Sequence, residues 1–294
     1  MRRAIGASSF LWSSPFCDGE LWLAQHVKAL GFEVFEVCVE DPAIVSAAAV
    51  AEASEAAGIA VSVCGAFGPE RDVSHEDAVV RGQAVAYLEY CIDLASRVGS
   101  PHVAGPMYAA TGVTRLLTGG ERKAQRSRAV EGLRRVAEMA GERGVRLAIE
   151  PLNRFETDLI NTIEQGLELC DLVGLRNVGL LLDTFHMNIE ERSLPAAVRA
   201  AGDRLFHFHA SENDRGAPGS GHIGWLEVFD ALDDIGYEGQ IVIESFTPEI
   251  KEIARAVSLW RPVAESPDAL ASAGLAFLRA VDTRRDVTGS GPAE

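Results

Sequence analysis

Short apolar runs alternate with longer segments of helical periodicity along almost the whole chain. The apolar runs are short and rich in aliphatic residues, as buried strands are, and they fall at 4–10, 33–39, 60–66, 101–106, 146–150, 178–183, 205–210 and 240–245. Apolar residues recur at helical spacing near 20–30, 43–57, 75–98, 121–143, 162–173, 190–200, 225–235, 249–259 and 266–281. Because strands and helices alternate strictly, the pattern predicts an α/β protein with a parallel sheet and helical crossovers.

Polar residues at the ends of four successive strands distinguish a closed barrel from an open sheet. The fifth to eighth predicted strands end in Glu150, Asp183, His209 and Glu244, at spacings of 33, 26 and 35 residues. A (β/α)8 barrel of about 250 residues has a repeating unit of about 31 residues, so each residue lies one unit after the last. An open sheet binds ligands mainly at one crevice, whereas a closed ring brings four neighbouring strand ends to one point. The predicted fold class is therefore a single-domain (β/α)8 TIM barrel.

The chain of 294 residues is long enough for one such barrel, and no interdomain linker is visible. We expect the catalytic barrel to span residues 1–282. The last segment, 283–294, is polar and contains several glycines, which predicts a flexible C-terminal tail.

The four strand-end residues have the chemistry of a metal site. Three carboxylates and one imidazole provide an oxygen-rich ligand set with a single nitrogen, which suits Mn²⁺, Mg²⁺ or Co²⁺ rather than a structural zinc ion. Glu150 precedes Pro151, which ends the strand, so its side chain is expected at the mouth of the barrel. One strand-end acid would be weak evidence, but four residues in register indicate a metal centre.

Charge and composition exclude several classes of partner. A formal net charge of −16 argues against nucleic acid, because neutralising a phosphate backbone requires Lys and Arg. No apolar run reaches the roughly 18 residues of a membrane span. The N-terminal segment lacks the apolar core of a signal peptide. Five cysteines without CxxC spacing predict buried free thiols and a cytoplasmic location.

Two segments outside the strand ends carry candidate binding groups. His186 lies three residues after Asp183, at the start of the following loop, and is either a group that reaches ligand hydroxyls or a packed loop histidine. The loop 211–225 is long, polar and rich in glycine, and such loops in compact domains are usually functional. It contains Arg215, whose guanidinium offers a fork of donors for carbohydrate oxygens.

Other titratable residues have structural interpretations. His207 alternates with His209, so it is expected one layer deeper in the barrel, either supporting the site or filling the core. Glu36 lies inside an apolar strand and is expected in a buried structural pair. Glu190 and Glu191 are expected in the first turn of the following helix, where its dipole favours acids.

Several motifs occur together in this chain. They are Asn153-Arg154-Phe155-Glu156, the segment 182–191, His207-Phe208-His209 followed by Arg215, Gly219-x-Gly221 before Trp225, and Leu259-Trp260-Arg261. In these motifs the chain resembles the ketose 3-epimerases, the D-tagatose 3-epimerase and D-allulose (D-psicose) 3-epimerase family of the sugar phosphate isomerase/epimerase-like TIM barrels. The resemblance covers nearly the whole chain and is most specific over 149–261.

The resemblance implies a metal-dependent isomerase that interconverts free ketoses at C3, of the D-fructose/D-allulose, D-tagatose or L-ribulose type. It implies that one divalent ion, Mn²⁺ before Co²⁺ or Mg²⁺, is held by Glu150, Asp183, His209 and Glu244. Glu150 and Glu244 would also be the two acid/base groups that form and quench a cis-enediolate. The sugar would be bound by Glu156, His186 and Arg215. By resemblance, the chain is also expected to form a homodimer or homotetramer.

Three residues depart from the family pattern and are expected near the rim of the pocket. Ser245 stands where many relatives have proline, Asp214 where they often have asparagine, and His222 where several have arginine. The natural ketose is therefore left open. Aldose–ketose isomerases, inosose dehydratases and barrels that process 3-keto-sugars or C-glycosides remain alternatives. A sugar-binding barrel without catalysis would lack a catalytic glutamate, whereas this chain has both.

Overall fold

The eight predicted strands form one closed parallel sheet. The computed structural model describes residues 3–288 and, for 284–288, only the backbone. The strands are β1 (Ile5–Ser8), β2 (Val34–Val39), β3 (Ala60–Gly65), β4 (His102–Gly105), β5 (Arg146–Ile149), β6 (Val178–Asp183), β7 (Leu205–Ala210) and β8 (Ile241–Ile243). Each strand pairs with the next, and β1 pairs with β8 in a register that places Gly6 beside Val242. The predicted single-domain (β/α)8 barrel is confirmed.

Helices surround the sheet and bury its outer face. They are α1 (Trp22–Ala29), α2 (Ala47–Ala57), α3 (Ala78–Val98), α4 (Gly119–Glu142), α5 (Ile163–Val173), α6 (Thr184–Glu190), α7 (Leu194–Ala201), α8 (Trp225–Asp234), α9 (Lys251–Ala256) and α10 (Pro267–Thr288). α4 and α5 begin with capping boxes in which Thr118 pairs with Glu121 and Thr162 with Gln165. Within residues 3–288, no helix combines the length and apolar character that crossing a membrane requires.

The region after β6 differs from the sequence prediction. The pattern predicts one helix at 190–200, but the chain forms the two short helices α6 and α7. α6 begins directly after the strand because the Asp183 carboxylate accepts a hydrogen bond from Phe185 N (2.7 Å) and caps the helix. α7 is capped by Ser193 and has a proline in its first turn, where the missing N–H is tolerated.

Glu190 and Glu191 lie at the C-terminal end of α6, so their predicted place in the first turn of a helix is wrong. Glu190 Oε1 accepts hydrogen bonds from the backbone N (2.7 Å) and Nε (2.9 Å) of Arg154. Glu191 Oε1 accepts one from Ile163 N (2.8 Å) at the start of α5. The two acids therefore tie α6 to the loop after β5 and to the start of α5, which is a structural role at a different position.

α10 continues to Thr288, so its backbone extends into the first half of the segment 283–294. Residues 289–294 lie outside the described residues. The flexible tail and the boundary of the catalytic domain at residue 282 stay predictions.

The inside of the barrel is polar at its centre. The fully buried side chains of Glu36, His102, His207 and His209 face one another there. A small apolar cluster includes the thiols of Cys38 and Cys64, while the main core lies between sheet and helices. All five cysteines are free and all but Cys17 are buried, as the sequence predicts.

Candidate active site

The four strand-end residues lie together at the carboxyl end of the barrel. Glu150 directly follows β5, Asp183 ends β6, His209 lies near the end of β7, and Glu244 directly follows β8. Each offers one carboxylate oxygen or imidazole nitrogen, and these four atoms all lie within 4.8 Å of one another. None of the four residues is more than 6% exposed. We call this group the acidic cluster.

The acidic cluster fits a divalent cation in size and in charge. Atoms on opposite sides of an ion at roughly 2.1 Å lie about 4.2 Å apart, which is compatible with the 4.8 Å limit of the cluster. Three buried carboxylates face one imidazole, and buried charges require pairing or a metal ion. His209 Nδ1 lies 3.6 Å from Glu244 Oε1, and no described residue hydrogen-bonds to it. This nitrogen and the three carboxylates together form a donor set that such an ion would use.

Burial and neighbouring charges shift the pKa values in the acidic cluster in opposite directions. Burial, reinforced by the charge of Glu244, raises the pKa of Glu150 well above its ordinary value. Burial also raises the pKa of Asp183, but Arg215 and the nearby imidazoles outweigh it and lower that pKa to about 2. Burial lowers the pKa of His209, yet the carboxylates of Glu36 and Glu244 raise it well above the ordinary value. A bound cation would replace protons on Glu150 and His209.

Arg215 extends from the loop after β7 into the acidic cluster. Its Nη1 donates to Asp183 Oδ2 (2.7 Å) and Glu244 Oε2 (3.0 Å). The guanidinium lies 4.1 Å from the centroid of the Phe185 ring, a cation–π contact. Its backbone has φ +65°, which is uncommon outside glycine, and Ser245 donates its hydroxyl to the Arg215 carbonyl. The Arg215 guanidinium, which the sequence predicts to bind the sugar, therefore lies inside the site.

The loop between β7 and α8 folds around Glu212, a residue that sequence reasoning did not identify. Glu212 Oε1 accepts a hydrogen bond from Ile223 N (2.9 Å). Glu212 Oε2 accepts bonds from Gly219 N (2.8 Å) and the indole Nε1 of Trp225 (2.9 Å). The residue is fully buried, and these donors compensate the loss of its hydration. One carboxylate thus fixes the loop that carries Arg215.

His186, Asn153 and Glu156 form a connected group beside the acidic cluster. Asn153 donates its backbone N–H to His186 Nδ1 (3.2 Å) and its side-chain amide to Glu156 Oε1 (2.8 Å). His186 Nε2 lies 3.6 Å from Glu150 Oε1 and 3.2 Å from Arg215 Nη2. Burial lowers the pKa of His186, which keeps the imidazole neutral near pH 7. His186 therefore lies in the site, and Asn153 links it to Glu156.

A second polar layer lies beneath the acidic cluster. Glu36 Oε2 accepts hydrogen bonds from Ser62 Oγ (3.0 Å) and His207 Nε2 (2.7 Å). Glu36 Oε1 lies 2.9 Å from His209 Nε2. The predicted buried pairing of Glu36 is confirmed, and its partners are two histidines. His207 bonds to this carboxylate, and its ring centroid lies 5.0 Å from that of His209 and 4.2 Å from that of His102.

A cavity opens at the acidic cluster. Its volume of about 370 Å³ lies within the range of roughly 300–1,000 Å³ that small-molecule sites occupy. Polar groups of the site and apolar walls both line it, among them Glu150, Glu156, His186, Arg215, Glu244, Phe10 and Phe246. All three residues predicted to bind the sugar therefore border the space that a monosaccharide would fill.

The three departures from the family pattern lie in different places. Asp214 accepts a hydrogen bond from Arg261 Nη2 (3.0 Å), and His222 Nε2 lies 3.2 Å from Asn188 Oδ1. Asp214 is half-buried and His222 is exposed. The expectation that Ser245 lies near the rim is wrong, because Ser245 is fully buried beneath the Arg215 backbone.

Known proteins share both the fold and the sequence. The family model of the xylose isomerase-like TIM barrel matches residues 24–281. The chain is 34% identical over 277 residues to L-ribulose 3-epimerase of Mesorhizobium japonicum, covering 93% of this chain and 92% of that protein. A solved structure of L-ribulose 3-epimerase matches with a TM-score of 0.91 at 33% identity over 99% of each chain. D-allulose 3-epimerase from Methylomonas sp. in complex with D-allulose matches with a TM-score of 0.87 at 29% identity, over 95% of this chain and 97% of that one.

These similarities first define the class, a xylose isomerase-like TIM barrel. Within that class the chain belongs to the ketose 3-epimerase family, whose members are isomerases that act on sugars. Family membership and the acidic cluster together indicate a divalent metal site and a site for a small sugar.

Proposed function

We propose that the protein is a metal-dependent epimerase that interconverts free ketoses at C3. The observation that carries the proposal is the arrangement of Glu150 and Glu244 in the acidic cluster. They follow strands β5 and β8, three strands apart in the ring, and both border the cavity. Epimerisation removes a proton from one face of a carbon and returns one to the other face, so it requires two acid/base groups. Carboxylates on separate strands can approach a bound sugar from two sides.

The proposed metal ligands are Glu150, Asp183, His209 and Glu244, with Mn²⁺ as the first candidate and Co²⁺ or Mg²⁺ as alternatives. When bound, such an ion would act as a Lewis acid that stabilises negative charge developing on the sugar oxygens. The ligand set supports an oxygen-preferring divalent ion over a soft metal, because it contains no thiolate and only one imidazole.

The side chains of the site divide the remaining work. In one direction one glutamate of the Glu150–Glu244 pair takes the C3 proton, which leaves a cis-enediolate, and the other protonates the opposite face. In the reverse direction their roles exchange. Arg215 donates to the C1–C3 oxygens, and its fixed positive charge favours the electron-rich enediolate over the neutral ketose. Glu156 and His186 hold O1 and O2 and so orient C3 between the two carboxylates.

Solvent exchange at C3 tests this mechanism. The protein loaded with Mn²⁺ is incubated with a ketose in D₂O, and deuterium at each carbon is followed by NMR. Deuterium is expected at C3 of both epimers. Glu150→Gln and Glu244→Gln are expected to stop epimerisation, and each is expected to retain exchange in only one of the two epimers, because one base remains.

Asp183→Asn is the matched control, since Asp183 belongs to the acidic cluster but has no proposed role in proton transfer. At saturating Mn²⁺ it is expected to slow exchange in both epimers equally. Turnover that keeps protium at C3 would exclude the enediolate route. Products of an aldose–ketose isomerase or of a dehydratase would be recognised in the same spectra.

The natural ketose, the native ion and the assembly are separate questions. The matched relatives act on L-ribulose or D-allulose by their names, which supports a test panel of D-fructose, D-allulose, D-tagatose, L-ribulose and D-ribulose. Chelation is expected to remove activity, and Mn²⁺ or Co²⁺ to restore it best. The homodimer or homotetramer stays a prediction, which light scattering can test. The cytoplasmic location also stays a prediction.

A further inference from the structure

The buried layer beneath the acidic cluster contains a carboxylate that the proposed reaction does not use. Glu36 lies on β2, on the far side of the ring from the strands that provide most of the metal ligands, and it is fully buried. A carboxylate in such a place destabilises the fold unless its oxygens are satisfied. Its partners are therefore informative about its role.

The two oxygens of Glu36 have different partners. Oε2 accepts hydrogen bonds from Ser62 Oγ (3.0 Å) and His207 Nε2 (2.7 Å). These bonds fix the carboxylate plane and leave Oε1 directed at His209 Nε2, 2.9 Å away. Ser62 and His207 both approach Oε2 at hydrogen-bonding distance, so Glu36 acts as an acceptor in this layer.

We infer that Glu36 is a positioning residue that selects the tautomer of His209 and thereby presents His209 Nδ1 to the metal ion. A neutral imidazole carries one proton, and a carboxylate can only accept, so the nitrogen that faces Glu36 carries that proton. Nδ1 is then left with its lone pair on the side of Glu244, 3.6 Å from Oε1. This inference rests on the proposed role of His209 as a metal ligand.

The geometry favours positioning over a second metal site. Glu36, Cys64 and His209 each offer an atom within 4.8 Å of the others, so their spacing alone would also allow an ion. However, Glu36 Oε2 is already bound by His207 and Ser62. An ion at His209 Nε2 would also require His209 to lose both ring protons if it ligates the acidic cluster as well. The same carboxylate lies 2.7 Å from His207 Nε2 and 2.9 Å from His209 Nε2 and pairs with both rings without that cost.

The tautomer can be observed directly in the protein as it exists. With ¹⁵N-labelled histidine and diamagnetic Mg²⁺ bound, NMR distinguishes a protonated from an unprotonated ring nitrogen. The His209 signals are identified among the seven histidines by their loss in His209→Gln. His209 is expected to carry its proton on Nε2 and to have an unprotonated Nδ1. A proton on Nδ1 would overturn the inference without any variant at Glu36.

Glu36→Gln supplies the second test. The amide replaces one acceptor oxygen by a donor, so the Nε2 tautomer loses its advantage. Mn²⁺ affinity, measured by calorimetric titration, is expected to fall about 10–100-fold, as is typical for such outer partners of a metal ligand. Glu36→Asp retains the charge and is expected to recover part of the affinity. An unchanged affinity in a folded Glu36→Gln would overturn the inference.

Ser62→Ala is the matched control, because it removes a bond to the same carboxylate at the oxygen that does not face His209. Because His207 still holds the same oxygen (2.7 Å), this variant is expected to leave both the His209 tautomer and the Mn²⁺ affinity unchanged. Binding of two Mn²⁺ ions per chain, the second lost in Cys64→Ala, would replace positioning by a second site. Failure of the wild-type protein to bind Mn²⁺ would instead contradict the proposed function. The titrations therefore distinguish failure of the positioning inference from failure of the proposed function.

Discussion

Arg215 is the residue in which backbone strain and function coincide most clearly. A non-glycine residue at φ +65° costs on the order of 1–3 kcal/mol, and such strain persists only where surrounding contacts impose it. The contacts here are the Ser245 hydroxyl on its carbonyl and the carboxylates of Asp183 and Glu244 on its guanidinium. The departure from the family pattern at Ser245 thus contacts the backbone of Arg215, a residue that we propose binds the sugar.

Ser245→Ala is therefore expected to weaken substrate binding more than it slows chemistry. Losing the hydroxyl leaves the buried Arg215 carbonyl without this donor, a loss of about 1 kcal/mol, or roughly fivefold in KM. Steady-state kinetics on the preferred ketose measure the change, and kcat is expected to vary less than KM. Ser245→Thr keeps the hydroxyl and is expected to behave like the wild type. Identical kinetic constants in Ser245→Ala would contradict this account of Arg215.

Single residues also mark the limit of sequence-based prediction. The members of the acidic cluster could be predicted because each follows an apolar run, and strand ends in a parallel barrel meet at one face. The partners of Glu36 and the role of Glu212 could not be predicted, because they depend on register and on loop geometry. The Glu36 partner His207 lies on β7, on another part of the ring, and Glu212 binds N–H groups whose direction no spacing reveals.

At the scale of elements, the loop between β7 and α8 is held together by hydrogen bonds to the buried carboxylate of Glu212. Glu212→Gln is expected to destabilise this loop, because the new NH₂ group faces N–H donors at Gly219 and Trp225 or at Ile223. Each lost bond with a buried unsatisfied donor costs about 1–3 kcal/mol. Hydrogen exchange of the Gly219 and Ile223 amides is expected to accelerate, and activity to fall because Arg215 loses its position.

Asp214→Asn is a matched control for that experiment. Asp214 lies in the same loop, and its side chain is 39% exposed in an ion pair with Arg261, which is 66% exposed. Exposed pairs contribute between about 0 and 1 kcal/mol, so this variant is expected to keep both the exchange rates and the activity. Equal effects of the two variants would show that the loop responds to any charge loss.

The loop between β4 and α4 is expected to show a pH dependence. Asp158 Oδ2 accepts hydrogen bonds from Arg115 N (2.7 Å) and Nε (2.9 Å), which lie in that loop. Burial raises the pKa of Asp158, but the Arg115 bonds outweigh it and lower the pKa below its ordinary value. The stabilisation is therefore complete above the unfolded pKa of about 3.9 and is lost as pH falls through the folded value.

Asp158→Asn tests this dependence. The difference in free energy of unfolding between wild type and variant is expected to be constant above about pH 5 and to shrink in acid. Because the Arg115 side chain is 41% exposed, the full difference is expected to be of the order of 1 kcal/mol or less. Urea unfolding at several pH values measures it. A difference that does not change with pH would assign the effect of the variant to packing instead.

The boundaries of elements were harder to predict than their existence. All eight strands coincide with predicted apolar runs, because strands of a parallel barrel are buried on both faces and are therefore mostly apolar. α6 escaped prediction because its cap is Asp183, a residue whose position at a strand end suggests a different role. A side chain that both caps a helix and borders the acidic cluster shows how tightly β6 and its helix are joined to the site.

At the scale of the whole molecule, a residue just before β1 contacts α10 on the side of the barrel opposite the proposed chemistry. Arg3 donates from Nη1 to Asp282 Oδ1 (2.7 Å) and from Nε to the Tyr237 carbonyl (2.8 Å). These bonds join the start of β1 to α10 and to the segment before β8, where the ring closes. The contacts that close the ring thus lie at the amino ends of the strands, whereas the proposed site lies at their carboxyl ends. This division is general in this fold.

A metal ion in the acidic cluster is expected to stabilise the entire barrel, because its ligands come from four adjacent strands that cannot separate while they share it. A ligand at 100 times its Kd that binds only the folded state adds about 2.7 kcal/mol, which for a chain of this size raises Tm by roughly 5–10 °C. Thermal unfolding with saturating Mn²⁺ and with chelator measures the shift.

Asp183→Asn tests the same site, but it also removes the cap of α6, so it is expected to unfold at a lower temperature even in chelator. The informative quantity is therefore its Mn²⁺-dependent shift at a fixed, limiting Mn²⁺ concentration, which is expected to be smaller than that of the wild type because one ligand is lost, whereas Glu156→Gln, outside the ligand set, is expected to keep the full shift. Equal Tm values for the wild type with and without Mn²⁺ would contradict a folded-state metal site.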